Sequence, residues 1–265
     1  MNDNLTFLLI ASNNDCKIID TINSIKNIGK VLIVDGGPRK TFYSSEPSSI
    51  TLKEIAVKHN LEYVTNPYEY AARQYNFGIN QINTKWTFII DSDETLTSTL
   101  AKWLSESSFT QLADFFYVKR YNYFLDRRMK YGQFRPDWNI RLFRTDYCRY
   151  EDRAVHARMI TRGSGAKAQG TLNHFTVQNL DAFFLKMIEF SSLELRSRRT
   201  RTRSTEVKAK IRIIFQYFPF QASLRFFYSY FFRLGFLDGR IGFKLAKCAS
   251  FYEDMVDLRI ITSND

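Results

Sequence analysis

Three continuous apolar runs, Leu5–Ala11, Val31–Val34 and Trp86–Ile90, constrain this chain most, because two of them end on an acid. Val31–Val34 stops at Asp35-Gly36-Gly37-Pro38, and Trp86–Ile90 runs into Asp91-Ser92-Asp93-Glu94. Short runs that carry apolar side chains on both faces suit strands covered on both sides, as in parallel sheets. Between them the pattern is helical. Ile18, Ile22 and Ile25 recur at helical spacing, with Asn14 as a cap and Gly29 as a stop. Further helices are expected around Thr51–His59, Ala71–Ile82 and Ser98–Ser105, with a strand at Leu61–Val64. This alternation predicts an α/β fold: a Rossmann-like, mostly parallel sheet with helices on both faces. Ligands of such sheets bind outside the carboxyl ends of the strands, so Asp35 and Asp91 are expected on one rim.

After Glu94 the pattern changes. Asp114–Tyr121 and Asn139–Phe143 look like strands, separated by an aromatic and basic stretch, Tyr123–Trp138. A helical part begins near Asn179, where Phe183, Phe184, Met187 and Phe190 form a stripe ahead of a basic run, Arg196–Arg203. From Ile211 to Ala246 aromatic clusters alternate with Arg and Lys. The expected organisation is a sheet domain over residues 1–178, divided at 94/95, and a helical region over 179–265.

Composition narrows the partners. The formal net charge is +11, and the chain carries Phe 24 and Tyr 15. A basic surface attracts phosphate, whether on nucleotides, nucleic acid or lipid headgroups. The three cysteines, Cys16, Cys148 and Cys248, lie far apart and form no CxxC pair. Neither a zinc site nor a disulfide framework is suggested, which fits a reducing cytosol. The apolar run near the amino terminus has no basic region before it and reads as a strand, not a signal peptide. The longest apolar candidate, Ile211–Phe236, is interrupted by Arg212, Pro219, Arg225 and Arg233, so no span of a bilayer is expected.

Several residue groups could carry chemistry. Asp91 and Asp93, one residue apart after a buried strand, can meet one Mg²⁺ or Mn²⁺ ion, which prefers oxygen ligands and substrate phosphates. The same spacing also suits a polar turn that caps the next helix. Asp35 could accept a hydrogen bond from a nucleobase or could simply form the turn before Gly-Gly. In RYEDRAVHAR, Glu151 or Asp152 could act as a general base, or the segment could be a solvated loop. His156 and His174 are candidate third metal ligands, although a lone histidine is more often structural. Arg127, Arg128, Arg135, Arg141 and Arg144 could grip phosphates bidentately or form a solvated face.

The ordered series LTFLLIASNND, VLIVDGG, RQYNFGI, WTFIIDSDE, YNYFLDRRMKYGQFRPDWNIRLFR, YEDRAVHA and LNHFTV resembles glycosyltransferase family 2. The match is nearest to its lipopolysaccharide-core β-1,4-glucosyltransferase branch and runs to FFRLGFLDGRIGFKLA near the end. The resemblance implies a GT-A fold, a nucleotide-sugar-binding half at 1–94, an acceptor half at 95–178, and an inverting, metal-dependent enzyme. It implies that Asp35 contacts the base, that Asp91 and Asp93 form the DxD pair, and that Asp93 is the more direct ligand. Gln74 and Asn76 match a polar helix motif near the donor. Asp137, Arg141 and Arg144 match a PDxxxRLFR-like segment beside the active site. Glu151 matches the acid before VH, and His156 matches its histidine. The chain departs from the family at Ala157, usually acidic; at Asp152, often Gly; at Tyr75, usually Arg; and in the turn after Asp35.

The function expected is transfer of a hexose, glucose by resemblance, from a UDP-sugar to a hydroxyl of a lipid-linked glycan. Mg²⁺ or Mn²⁺ is the expected cofactor, Glu151 the first choice of base and Asp152 the second. The tail suggests interfacial helices on the inner face of a bacterial cytoplasmic membrane, with an aromatic packing layer or a homo-oligomer contact as the other reading. The rival class is a non-catalytic basic module for membrane or nucleic acid. It leaves Asp91 and Asp93 without a task, so no nucleic-acid partner is expected.

Overall fold

The computed structural model describes residues 2–12, 17–37, 51–134, 137–153, 157–177, 180–202 and 220–262. Asn14, Arg135, His156 and the stretch 203–219 lie outside the described residues. The chain divides into two compact units, residues 1–123 with 137–176, and residues 124–136 with 177–265.

The first unit is built on strands β1 (Asn2–Ala11), β2 (Gly29–Asp35), β3 (Glu62–Thr65) and β4 (Trp86–Asp91). All their pairings are parallel, in the order β3-β2-β1-β4. Helices α1 (Ile18–Ile25), α2 (Leu52–His59) and α3 (Ala71–Gln81) connect them. The α2 helix starts where Thr51 and Glu54 form a reciprocal capping box. Gly29 does not end α1; it opens β2, and the helix stops four residues earlier in a turn.

Side chains alternate across the sheet, so one face presents Leu9, Ala11 and Ile33, packed with Ile22 of α1 and Ile55 of α2. The other face presents Leu8, Ile10 and Val34, packed with Ile79 of α3. The α3 helix comes close because Gly78 has no side chain. A Cβ there would lie 2.4 Å from Leu8 Cδ1.

Beyond β4 the sheet continues through β8 (Trp138–Arg144), β6 (Phe115–Phe124), β11 (Gly165–Val177) and β5 (Glu94–Leu96). Here β8 runs antiparallel to β4 and β6, and β11 antiparallel to β5. The expected α/β sheet is therefore present, parallel among its first four strands and antiparallel in the β4–β8, β8–β6 and β11–β5 pairings. Helix α4 (Ser98–Ser105) follows β5 and is capped by Thr97. A small ladder pairs β9 (Cys148–Tyr150) with β10 (Met159–Thr161).

The second unit holds β7 (Arg127–Met129) and helices α5 (Leu180–Thr202), α6 (Gln221–Phe227) and α7 (Gly239–Thr262). Its small core gathers Phe124, Met129 and Phe134 with Val177, Phe183, Ile241 and Leu245. Residues 124–136 thus group with the helical region, whereas the sequence pattern had placed them in the sheet domain. Among the described residues no helix is long and apolar enough to cross a membrane.

Candidate active site

Register brings the two strand-end acids together. Asp35 pairs with Ala11 and Asp91 with Ile10, so both stand at one end of β1 on the strands that flank it. Two interstrand spacings put their backbones about 10 Å apart. Alternation points them to opposite faces: Asp35 falls on the α1–α2 side with Ala11, Asp91 on the α3 side with Ile10.

Asp35 is 7% exposed, and both its oxygens are engaged. Tyr63 Oη donates to Oδ2 at 2.7 Å, and the Gly37 N–H donates to Oδ1 at 2.8 Å. Gly37 adopts φ +72°, the region that suits glycine, which lets the chain turn back over the carboxylate. Gln74 is buried and exchanges hydrogen bonds with Asn66, whose N–H bonds the Asp35 carbonyl at 3.0 Å. Gln74 is thus tied to this rim through Asn66, and its Nε2 also lies beside Gly36.

Asp91 does not cap a helix; that role belongs to Thr97. Its Oδ1 accepts a hydrogen bond from Tyr75 Oη, and its Oδ2 accepts one from Arg141 Nη2 at 2.7 Å. Burial pushes the Asp91 carboxyl up, but the Arg141 charge and these hydrogen bonds outweigh it and hold the carboxyl well below the ordinary range. Arg141 Nη2 also donates to Glu94 Oε1 at 2.6 Å, and Arg120 Nη1 approaches the same oxygen at 3.2 Å. Glu94 is fully buried, and burial pushes its carboxyl up. Its other oxygen accepts the Asp91 N–H at 3.0 Å, so the acid three residues on fixes the DxD turn. Arg120 in turn clamps Asp137 with two hydrogen bonds, 3.0 and 2.5 Å.

Asp93 lies beyond the strand with its side chain 29% exposed. His174 Nε2 faces its Oδ2 at 3.5 Å. Asn122 Oδ1 lies 2.7 Å from His174 Nδ1. An amide oxygen only accepts, so His174 Nδ1 donates to Asn122, and Nε2 is the ring atom turned to the Asp93 carboxylate. Three carboxylates, Asp91, Glu94 and Asp137, share the two guanidiniums of Arg120 and Arg141, and Asp93 stands outside this set beside His174. Among the described residues, no group of three or more His, Cys, Asp or Glu forms a ready-made metal cage.

The other sequence candidates are placed differently. Both ends of the Asn76 side-chain amide bond the Tyr150 backbone at 2.9 Å, so Asn76 ties α3 to β9. Tyr75, beside it, stacks on the Tyr150 ring at 5.1 Å. Glu151 follows Tyr150 directly; its Oε2 accepts the Arg158 N–H at 3.3 Å. Asp152 is exposed and held bidentately by Arg73 at 2.9 and 3.0 Å, with Tyr70 as a further donor. Those hydrogen bonds, Arg73 foremost, pull its carboxyl down to about 2. Arg144 is not at this rim. It pairs with Trp86 at the start of β4, about 17 Å along the strand from Asp91, and forms an ion pair with Asp114 at 3.0 Å. Arg127 and Arg128 belong to the second unit.

The sequence marks Tyr75 only as a departure from the family it resembles and Glu94 only as the end of a motif, and it does not mark Arg120 at all. Arg120 sits mid-strand in β6 with no local pattern around it, so nothing short of the fold could reveal it.

No protein-family model matches the chain. A search of curated proteins finds the lipopolysaccharide core biosynthesis glycosyltransferase LpsC of Rhizobium meliloti, 25% identical over 194 residues, covering 72% of this chain and 70% of that protein. Among solved structures, TarS 1-349 of S. aureus in complex with UDP-GlcNAc aligns over 97% of this chain and 83% of its own, at 12% identity and a TM-score of 0.41. A glucosyl-3-phosphoglycerate synthase from Mycobacterium tuberculosis, in complex with Mn²⁺, UDP and phosphoglyceric acid, aligns over 46% of this chain and 44% of its own, with 17% identity and a TM-score of 0.34. Against the longer TarS chain, this chain covers 50%. The relative found by sequence is of the kind that the motif series implies, and the chain thus resembles the lipopolysaccharide-core glycosyltransferases.

Proposed function

We propose that the chain is an inverting hexosyltransferase that moves a sugar, glucose by resemblance, from a UDP-hexose to a hydroxyl of a lipid-linked glycan at the cytoplasmic face of a membrane. The observation that carries this reading is the convergence of Asp93 and His174 beside Asp91, on the sheet rim that also bears Asp35. The resemblance to a lipopolysaccharide core glycosyltransferase supports the acceptor class.

Asp93 and His174 would hold Mg²⁺ or Mn²⁺, with His156 as a further candidate ligand. An imidazole nitrogen and a carboxylate oxygen so placed suit a divalent cation, and the carboxylates around them outnumber the guanidiniums. When bound, such an ion offsets the charge that develops on a departing diphosphate. Arg141 and Tyr75 keep Asp91 ionised and oriented for the donor. Glu151 takes the proton of the acceptor hydroxyl, which attacks the anomeric carbon opposite the nucleotide; one attack from one side inverts the centre. Asp152 is the poorer base, because Arg73 occupies its carboxylate and lowers its affinity for a proton. Asp137, 42% exposed, is the proposed acceptor contact from its segment.

The test is thermal unfolding with UDP and Mn²⁺, followed by a hydrolysis screen across nucleotide sugars. Ligand at about a hundred times its dissociation constant stabilises the native state by about 2.7 kcal/mol and raises the melting temperature by several degrees. The shift should vanish in Asp93→Ala. An unshifted wild type, or a shift that Asp93→Ala retains in full, removes the proposal.

A further inference from the structure

The antiparallel part of the first unit's sheet carries an exposed face that the donor rim does not use. Along β6 the side chains alternate. Phe116 and Val118 join the core cluster that holds Ile22 and Ile55, whereas Phe115 packs on the opposite side with Leu8 and Ile10. Tyr117 and Lys119 follow Phe115 onto that side. Across the ladder Ile140 pairs with Tyr117 and Trp138 with Lys119, so these two residues of β8 share it. It is also the side to which Asp91 points, with Ile10. Strand β4 runs three residues past its Phe88–Leu142 pair to end at Asp91, and β8 starts four residues before Leu142, at Trp138. Trp138 therefore stands at the end of the sheet that bears the DxD turn.

Trp138 is 39% exposed, while the other two tryptophans, Trp86 and Trp103, are buried. Two lysines border its ring. Lys167 Nζ, from β11, lies 5.0 Å from the ring centre, and Lys119 Nζ lies 6.0 Å from it and 5.5 Å from the centre of the Tyr121 ring. The rings steady the ammonium groups without neutralising them. Neither lysine has a carboxylate partner among the described residues, and Asp137, the acid next to Trp138, is taken by Arg120.

An exposed indole between two uncompensated cations selects a ligand with an apolar face and a negative charge. A pyranose ring that carries an acid meets both needs. Its C–H bonds form a flat apolar face that lies against an indole, its hydroxyls stay in water, and its phosphate or carboxylate reaches the ammonium groups. A neutral sugar would leave both cations without a role. A nucleic-acid strand presents a phosphate at every nucleotide and needs a longer cationic track. Along β6 the next basic residue, Arg120, turns to the opposite side and is committed to Asp137 and Glu94.

We propose that Trp138, Lys119 and Lys167 form a subsite for an anionic sugar, a pyranose bearing phosphate or carboxylate. Its position one residue from Asp137, the proposed acceptor contact, makes that sugar a unit of the acceptor glycan. This placement rests on the proposed transferase, whereas binding at the subsite can be read without donor or turnover.

The experiment is a tryptophan-fluorescence titration of the full chain, in which Trp138 is the exposed reporter. The ligands are glucose 6-phosphate, glucuronate, glucose and inorganic phosphate at constant ionic strength. The expected result is a saturable change with one or both anionic sugars, about tenfold tighter or more than with glucose or phosphate alone, and fading at high salt. A response to glucose 6-phosphate alone identifies the charged group as phosphate, and one to glucuronate alone identifies it as carboxylate. Lys119→Gln/Lys167→Gln should weaken this binding by about tenfold or more. Lys167→Gln by itself, at an exposed position, should weaken it severalfold and keeps the test decisive if the double variant misfolds. Equal affinity for glucose or for inorganic phosphate, no saturable response, or binding that the folded lysine variants retain in full overturns the proposal. So does an oligonucleotide that binds more tightly than the sugars. So does a spectrum that shifts with protein concentration, which would assign the indole to a second copy of the chain. The UDP-induced rise in melting temperature is read on the same sample. If it is present while the sugars fail to bind, the subsite alone falls; if it is absent while the anionic sugars bind, the transferase reading falls and the subsite stands.

Discussion

Tyr75 Oη donates a hydrogen bond to Asp91 Oδ1, on the carboxylate whose other oxygen is held by Arg141. The first acid of the DxD pair is therefore gripped from both sides, by a phenol on α3 and a guanidinium on β8. Tyr75→Phe removes one grip and leaves the ion pair. It should lower stability by about 1 kcal/mol and weaken UDP binding several-fold. Chemical denaturation and a UDP titration in Mn²⁺ measure the two effects; unchanged UDP affinity would show that the phenol does not orient Asp91.

Arg141 serves Asp91 and the fully buried Glu94 at once. Removing one partner of a buried pair leaves an uncompensated charge, a loss of about 3–5 kcal/mol. Arg141→Met should destabilise the fold by that order in urea. Adding Glu94→Gln should recover part of it, because the orphaned carboxylate is then gone. Additivity of the two substitutions would contradict this coupling.

Asn76 holds the Tyr150 backbone by two hydrogen bonds, one residue before Glu151. Asn76→Ala should reduce transfer to acceptor far more than it reduces UDP affinity, at a stability cost of about 1–3 kcal/mol. Steady-state kinetics beside UDP titration separates the two quantities. A matching loss in UDP affinity would place Asn76 at the donor instead.

Glu151 and Asp152 can be told apart. Glu151→Gln should slow turnover by about 10²–10⁴-fold, the usual range for a lost general base, while Asp152→Asn should leave most activity. The Arg73–Asp152 pair has its own pH signature. The folded carboxyl is depressed to about 2 from an ordinary 3.8, so its stabilisation is present above that ordinary value and fades as pH falls toward 2. Acid unfolding of Asp152→Asn should lack this component, and an unaltered acid limb would deny the pair any such contribution.

A cation between Asp93 and His174 predicts a common fate for three perturbations. Chelation, Asp93→Ala and His174→Ala should each abolish the Mn²⁺-dependent part of the UDP-induced rise in melting temperature. If His174→Ala keeps it, the histidine is a hydrogen-bonding partner of Asn122 alone.

Much of the scaffold was legible because its signals are local. The apolar runs, the Thr51 and Glu54 pair and the acids after β2 and β4 all lie within a few residues of what they determine. The environment of Asp91 was not, because Tyr75, Arg120 and Arg141 arrive from α3, β6 and β8 and meet only when the sheet assembles. Position in a motif also misled at Arg144. It lies three residues from Arg141, yet an antiparallel strand carried it to the far end of β4. The Asn76 amide bonds the Tyr150 backbone at the end of β9, and the Gln74 amide bonds both the backbone and the side chain of Asn66, contacts that no local pattern announces. Residues 124–136 looked continuous with the sheet because the partners of Phe124 and Met129, among them Leu245, stand more than a hundred positions away.

Gly78 gives this arrangement a hidden dependence. It lets α3 nestle onto Leu8, three positions along from Tyr75, so a methyl group there would wedge the whole rod outward. The injury would lie deep in the interior, yet a screen would score it as failed nucleotide capture, because the phenol would be levered off its carboxylate. Variants recovered from such a screen with no contact to any ligand should be traced back to this seam before they are credited with a chemical role.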